Sequence, residues 1–354
     1  MKKELTLLTA VRGLAAIWIV LLHSNSLEGV DFSRYHWLGG LINNGWLGVD
    51  LFFILSGFVL SYSYADQVID RTRFSVKSFY IKRFARVYPT HLFVLLLFVP
   101  IVSYSMISGS FSDPQHRFTV SKFCMQLFLL HGIGIFDGEG WNLPSWAVSS
   151  EFLAYLLYPG LALFLRRFNT RSKSIMAMIV VILLGISLSL VLGQKDSYHL
   201  PFEFTWFRVL SEFVLGILLY SFYTTFEEGR LHSLWVVLGL CGIGFQVFVK
   251  NSFYDFLYLV YFMMIIFGLS LVGRGRKVPI LGKLGELSYS LYLIHALVII
   301  VLNQMIRRIP VLSNNMSLCL LLLVSISLVS AWILYRFIEN PMRSKIIKKM
   351  VPKV

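Results

Sequence analysis

Apolar residues gather in ten stretches of about twenty residues, at 6–24, 46–64, 88–107, 146–165, 175–193, 206–224, 233–250, 254–272, 288–306 and 316–335. A helix rises 1.5 Å per residue, so each can cross a hydrocarbon layer about 30 Å thick. The segments between them are short and polar or basic, and the longest, 108–145, is too small for a second folded domain. The pattern predicts an all-α fold: a polytopic integral membrane helical bundle of about ten transmembrane helices. It fills residues 1–340 and is followed by a basic tail, 341–354.

Composition agrees. Hydrophobic residues make up 57% of the 354, charged residues only 14%, and the mean hydropathy is +0.72, too apolar for a soluble domain. Lys and Arg exceed Asp and Glu by 14 charges, but their distribution points to the membrane rather than to nucleic acid. With both termini cytoplasmic, 24 of the 32 Lys and Arg fall on inner segments; the outer ones hold Arg34, Arg117, Lys122, Lys195, Arg208, Lys250, Arg307 and Arg308. That asymmetry is the positive-inside rule, and it predicts a multi-pass protein with both termini on the cytoplasmic side. Segment 66–87, with Arg71, Arg73, Lys77, Lys82, Arg83 and Arg86 among aromatic and aliphatic residues, reads as a basic amphipathic helix on the inner surface. Cys124, Cys241 and Cys319 are isolated, which speaks against a disulfide framework or a zinc site; no metal is expected.

Charges at membrane depth mark function by default. Arg12 and His23 lie in the first span, eleven residues apart. They are within about 20° of one helix face and about 16 Å apart along it. His23, Asp50 in the second span and Glu151 in the fourth fall at comparable outer depth. An imidazole with carboxylates can form a general-base arrangement. Singly, each has a plainer role, His23 as a helix-end residue and the carboxylates as charges favoured by helix N-termini. On the inner side, Lys82, Arg83 and Arg86 suit phosphate oxygens and Arg12 enters from there, although the positive-inside rule alone accounts for such residues. Arg208 and Glu212, four apart in the sixth span, either neutralise each other or contact substrate. Ser290, Tyr292 and His295 in the ninth span can line a polar channel, whereas hydroxyls there serve mostly as interhelical hydrogen-bond partners.

The motifs LTAVRGLAAIWIVLLH, GVDLFFILSGF, KRFARVYP, PSWAVSSEF, SYSLYLIH and ENPMR, in that order along the whole chain, resemble bacterial membrane acyltransferase family 3. The resemblance implies transfer of an acyl group, most often acetyl, from cytoplasmic acyl-CoA (acetyl-CoA) to a hydroxyl of a cell-surface or lipid-linked glycan. It makes His23 the catalytic candidate with Asp50 and Glu151 in the core site, and puts Arg12, Lys82, Arg83 and Arg86 toward the CoA. Arg208, Glu212, Ser290, Tyr292 and His295 are then candidates for substrate contact. Ser150 stands where relatives tend to have an apolar residue. Many relatives add a soluble esterase-like domain after ENPMR; the expectation here is that the membrane unit or a partner handles the acceptor. The bilayer, acyl-CoA and a glycan are the expected partners. The rival class is a transporter or flippase of a glycan or small solute, against which stands the lack of an evident internal repeat.

Overall fold

A computed structural model describes residues 4–33, 35–70, 74–109, 116–134, 140–192, 202–226, 232–249, 255–272 and 278–351. Among the described residues all regular structure is helical. In chain order the α-helices are α1 (Thr6–His23), α2 (His36–Asn43), α3 (Leu47–Ile69), α4 (Val76–Ile107), α5 (Val120–Leu127), α6 (Trp146–Leu165), α7 (Arg171–Val191), α8 (Thr205–Tyr223), α9 (His232–Val249), α10 (Phe256–Val272), α11 (Pro279–Ile306), α12 (Pro310–Ser313), α13 (Met316–Leu334) and α14 (Asn340–Met350). Among the described residues eight helical runs are long and apolar enough to cross a membrane, and α9 and α10 are shorter apolar helices at the seventh and eighth predicted spans. The protein is an all-α, multi-pass membrane protein.

Three elements differ from the sequence expectation. The basic stretch 66–87 is not a surface helix of its own: its start ends α3, and Lys77 to Arg86 form the first turns of α4, which runs 32 residues through Pro89 and Pro100. At about 48 Å, α4 outreaches the hydrocarbon layer, so its basic turns can stand in the headgroup zone. Arg71 and Arg73 lie outside the described residues, as do Arg34, Lys195 and Lys250. Helix α11 starts at Pro279, well before the span that begins at 288. Helix α13 passes through a π-helical turn, Tyr335–Glu339, into α14, so the segment beyond 340 is helical through Met350.

The chain forms two compact units: residues 1–15, 47–76 and 153–285, and residues 16–46, 77–152 and 286–354. In the first, α3 and α8 pack so closely that a Cβ on Gly57 would strike the Phe213 carbonyl and one on Gly216 the Ile54 carbonyl. This is the small-residue contact that brings membrane helices together where lipid offers no hydrophobic drive. Aromatic rings fill the space beside it, Phe58 meeting Tyr220 and Tyr223 edge-on at 6.0 and 5.5 Å. Helix α7 packs on α8 and exposes Ile179, Leu183, Leu184 and Leu190, as a lipid-facing helix does.

In the second unit, α11 supplies the buried centre through Leu291, Leu293, Ile294 and Leu302. Tyr289 ties it to α4 by donating to the Val87 carbonyl at 2.6 Å. The short α5 and the segment 128–134 pack against the start of α6 through serines. Ser149 donates to the Leu129 carbonyl and accepts from the Gly132 N–H at 3.0 Å, while Ser150 donates to the Gly132 carbonyl. Gly132 sits where a Cβ would hit the Trp146 carbonyl. The two serines before Glu151 thus anchor a loop, and Ser150 has a role that an apolar residue could not fill.

Candidate functional site

Helix α1 ends at His23, which is half-buried, and its Nδ1 lies 2.8 Å from the Ile19 carbonyl. A carbonyl only accepts, so Nδ1 carries the hydrogen. In the neutral ring this leaves the lone pair on Nε2. Within the same unit the His295 ring stands 4.8 Å from that of His23, centroid to centroid, and 5.8 Å from the Tyr292 ring. His295 is wholly buried. The Leu291 and Tyr292 backbones lie near it, but neither ring nitrogen has a partner at hydrogen-bonding geometry. Glu151, in the second turn of α6, is half-buried and within electrostatic reach of Tyr292. His23, Glu151, Tyr292 and His295, named from sequence, therefore share the second unit.

A buried polar network holds this part of α11. Tyr292 donates its hydroxyl to the Pro144 carbonyl at 2.7 Å, and Asn142 gives its side-chain N–H to the Leu293 carbonyl at 3.1 Å. Asn142 in turn exchanges hydrogen bonds with Gln126, donating its backbone N–H to Gln126 Oε1 at 2.9 Å. Ser145 donates to the Asn142 carbonyl at 2.7 Å, so its oxygen can only accept from His131 Nε2, 2.8 Å away. His91 Nε2 donates to the Gln126 carbonyl at 2.8 Å, and its ring stacks on His131 at 6.2 Å. His91, Gln126, His131, Asn142 and Ser145 are buried. No ligand-type spacing in the sequence marks this group. Apart from His91 on α4, its members come from the segment 108–145, read from sequence as a connection between spans.

In the first unit, Arg208 pairs with both Asp50 and Glu212, reaching Glu212 Oε1 from Nε at 3.2 Å. The i,i+4 pair expected from sequence is present, and Asp50 joins it from α3. Asp50 belongs to this unit, whereas His23 and Glu151 belong to the other.

The basic start of α4 gathers a second charged group. Arg86 pairs with Glu339 of the π-turn, whose other oxygen accepts from Ser290 at 2.7 Å, and the Arg86 guanidinium lies 5.7 Å over the Tyr289 ring. Ser290 and Tyr292 thus serve as interhelical hydrogen-bond partners, one of the two roles open to them from sequence. Arg83 lies 5.9 Å over Phe79, and Arg343 is within electrostatic reach of Arg83 and Arg86. Three guanidiniums around one carboxylate leave net positive charge there, with Lys82 half-buried beside them. Glu339 had a visible signal, an acid just past an apolar span in ENPMR.

Arg12 opens into a cavity of about 440 Å³ in the first unit, shared with Thr9, Tyr62, Ser63, Asp66 and Gln67. Away from the spans, Arg307 holds Glu28 by Nε at 2.8 Å and Nη2 at 2.6 Å, and this hydrogen bonding raises the arginine's already high pKa.

Curated relatives of the chain are named as acyltransferases and O-acetyltransferases. The chain is 26% identical over 366 residues to O-acetyltransferase OatA of Staphylococcus aureus, covering 96% of this chain and 57% of the relative. It is 27% identical over 278 residues to acyltransferase MdmB of Streptomyces mycarofaciens, covering 72% and 68%. It spans less than three fifths of the length of the staphylococcal O-acetyltransferases it matches. No solved structure matches it. The family model described as an acyltransferase domain matches residues 6–336, nearly the whole chain, and the protein belongs to the membrane acyltransferase 3 family.

Proposed function

We propose that this protein transfers an acyl group, most often acetyl, from cytoplasmic acyl-CoA to a hydroxyl of a surface or lipid-linked glycan, with His23 as general base. The observation that carries the reading is the His23 hydrogen bond to Ile19, which leaves Nε2 as the ring's acceptor. In the reaction the sugar O–H proton passes to Nε2, the sugar oxygen attacks the thioester carbonyl, the C–S bond breaks and the proton goes on to the departing CoA sulfur. The His295 ring, 4.8 Å away and buried with neither nitrogen at hydrogen-bonding geometry to any of the described residues, packs against the His23 imidazole. Glu151 supplies negative charge on the same side of the unit, and Asp50 belongs to the core through its pair with Arg208.

The donor's phosphates fit the cluster of Arg83, Arg86 and Arg343 with Lys82, since arginine forks match phosphate oxygens. The Arg12 cavity has Glu4 and Asp66 in its wall. Those carboxylates offset the Arg12 charge and make that cavity a poor place for a phosphate. The reading puts the protein in the bacterial cytoplasmic membrane with both chain ends inside, an orientation that the basic-residue asymmetry supports.

The test is transfer from radiolabelled acetyl-CoA by purified protein in lipid nanodiscs, offered a panel of surface glycans, beside His23→Ala. Label on a glycan only with the native histidine is the expected result. Equal label with His23→Ala removes the base. Neither transfer nor acetyl-CoA binding removes the reading as a whole.

A further inference from the structure

The loop that leaves the catalytic histidine builds a cleft of its own. Three and five residues past His23, the Ser26 carbonyl accepts from Asn303 at 2.9 Å and the Glu28 N–H donates to Asn303 Oδ1 at 3.0 Å, with Arg307 closing on the Glu28 carboxylate. Beyond that latch, the loop before α2 and the turn between α12 and α13 enclose about 860 Å³, lined by Asp31, Tyr35, Trp37, Asn314, Asn315 and Ser317. The volume is within the range of ligand sites. Every one of these residues belongs to the second unit. Trp37 is 71% exposed and Tyr35 53%, large rings left uncovered among amide, hydroxyl and carboxylate groups.

That mixture has a recognisable chemistry. The apolar C–H face of a pyranose packs on an aromatic ring, while its hydroxyls exchange hydrogen bonds with amides and carboxylates around the edge. A lipid chain would find too many polar groups here. A phosphate would meet the Asp31 carboxylate and find no cation among the lining residues named for this cleft. The latch at Asn303 lies eight residues, about 12 Å, along α11 from His295, farther than one sugar ring reaches.

We infer that this cleft is a saccharide subsite, in which Trp37 and Tyr35 stack a sugar residue of the acceptor chain remote from the residue being acylated. The inference rests on the glycan acyl transfer proposed above and adds to it where the acceptor is held. It makes acceptors of several sugar residues better than monosaccharides.

Two measurements keep its failure apart from failure of the transfer reading. The first is equilibrium binding of chitotetraose, cellotetraose and maltotetraose to the His23→Ala protein in nanodiscs, where no turnover is needed. Binding of at least one that weakens ten-fold or more with Trp37→Ala or Asn314→Ala, and is unchanged with the lipid-side control Trp332→Ala, supports the subsite. Binding of none of the three, or binding indifferent to Trp37→Ala, overturns it. The second uses the active protein: Trp37→Ala raises KM for the glycan ten-fold or more, with kcat and the KM for acetyl-CoA held. Unchanged glycan KM overturns the subsite, and points to Trp37 as an interfacial anchor in the headgroup layer.

Discussion

Arg208 tests whether the buried charges of the first unit hold the fold or the substrate. Its guanidinium, 12% exposed, is shared by Asp50 at 2% and Glu212 at 0%. Arg208→Met keeps an unbranched apolar stem and takes the charge away from two buried carboxylates. On a water-facing surface such a loss costs about 0–1 kcal/mol. Removing one partner from a buried set costs about 3–5 kcal/mol, because the charge left behind has neither solvent nor counter-ion. At 1.4 kcal/mol per factor of ten, the lower figure is already about a hundred-fold in the folded ratio. Unfolding of the purified protein in mixed micelles, followed by tryptophan fluorescence against added denaturing detergent, reads the change. The argument makes a second demand: Arg208→Met combined with Asp50→Asn and Glu212→Gln recovers most of the loss, since the orphaned charges are gone. If Arg208→Met leaves the unfolding midpoint unchanged and raises the acceptor KM instead, the cluster is a substrate contact and the packing argument is wrong.

His23→Gln, which keeps a polar group but no titratable ring, lowers kcat at least 100-fold while acetyl-CoA binding stays within two-fold; a scintillation proximity assay with labelled acetyl-CoA reads the second quantity. Arg83→Ala weakens acetyl-CoA binding about ten-fold by removing one fork from the phosphate cluster, and the same variant leaves binding of dephosphorylated pantetheine derivatives unchanged in competition. Asn142→Ala frees the α11 carbonyl at Leu293 while keeping the backbone bonds to Gln126, costing about 1–3 kcal/mol in the micelle unfolding assay. Gly57→Val drives a side chain into the Phe213 backbone, and yields a protein that no longer elutes as a single species in size-exclusion chromatography.

Membrane helices conceal their contacts from the sequence in a way soluble helices do not. In water the apolar stripe of a helix shows which face is buried; in lipid both faces are apolar, so span positions are legible and their neighbours are not. The apolar runs accordingly placed α1, α3, α4, α6 to α11 and α13, though not the short α2, α5 and α12, yet nothing in them pairs His23 with His295 across 272 positions, or Arg86 with Glu339 across 253. The boundary between the basic stretch 66–87 and the span from 88 dissolves for a related reason: a helix in this setting continues through a proline such as Pro89 when neighbours meet the freed backbone groups, and α4 runs on. What does survive in the sequence is the cost of polarity. Each Arg, His, Asp or Glu inside a span needs a partner, and the chain has few. Asp50 with Arg208 and Glu212, and Arg86 with Glu339 and Ser290, show such partners for residues that the sequence had marked as site candidates. Of the histidines in spans, His295 alone is buried with neither ring nitrogen hydrogen-bonded among the described residues. A buried imidazole beside one whose tautomer is fixed makes the pair on α1 and α11 the first place to look for chemistry.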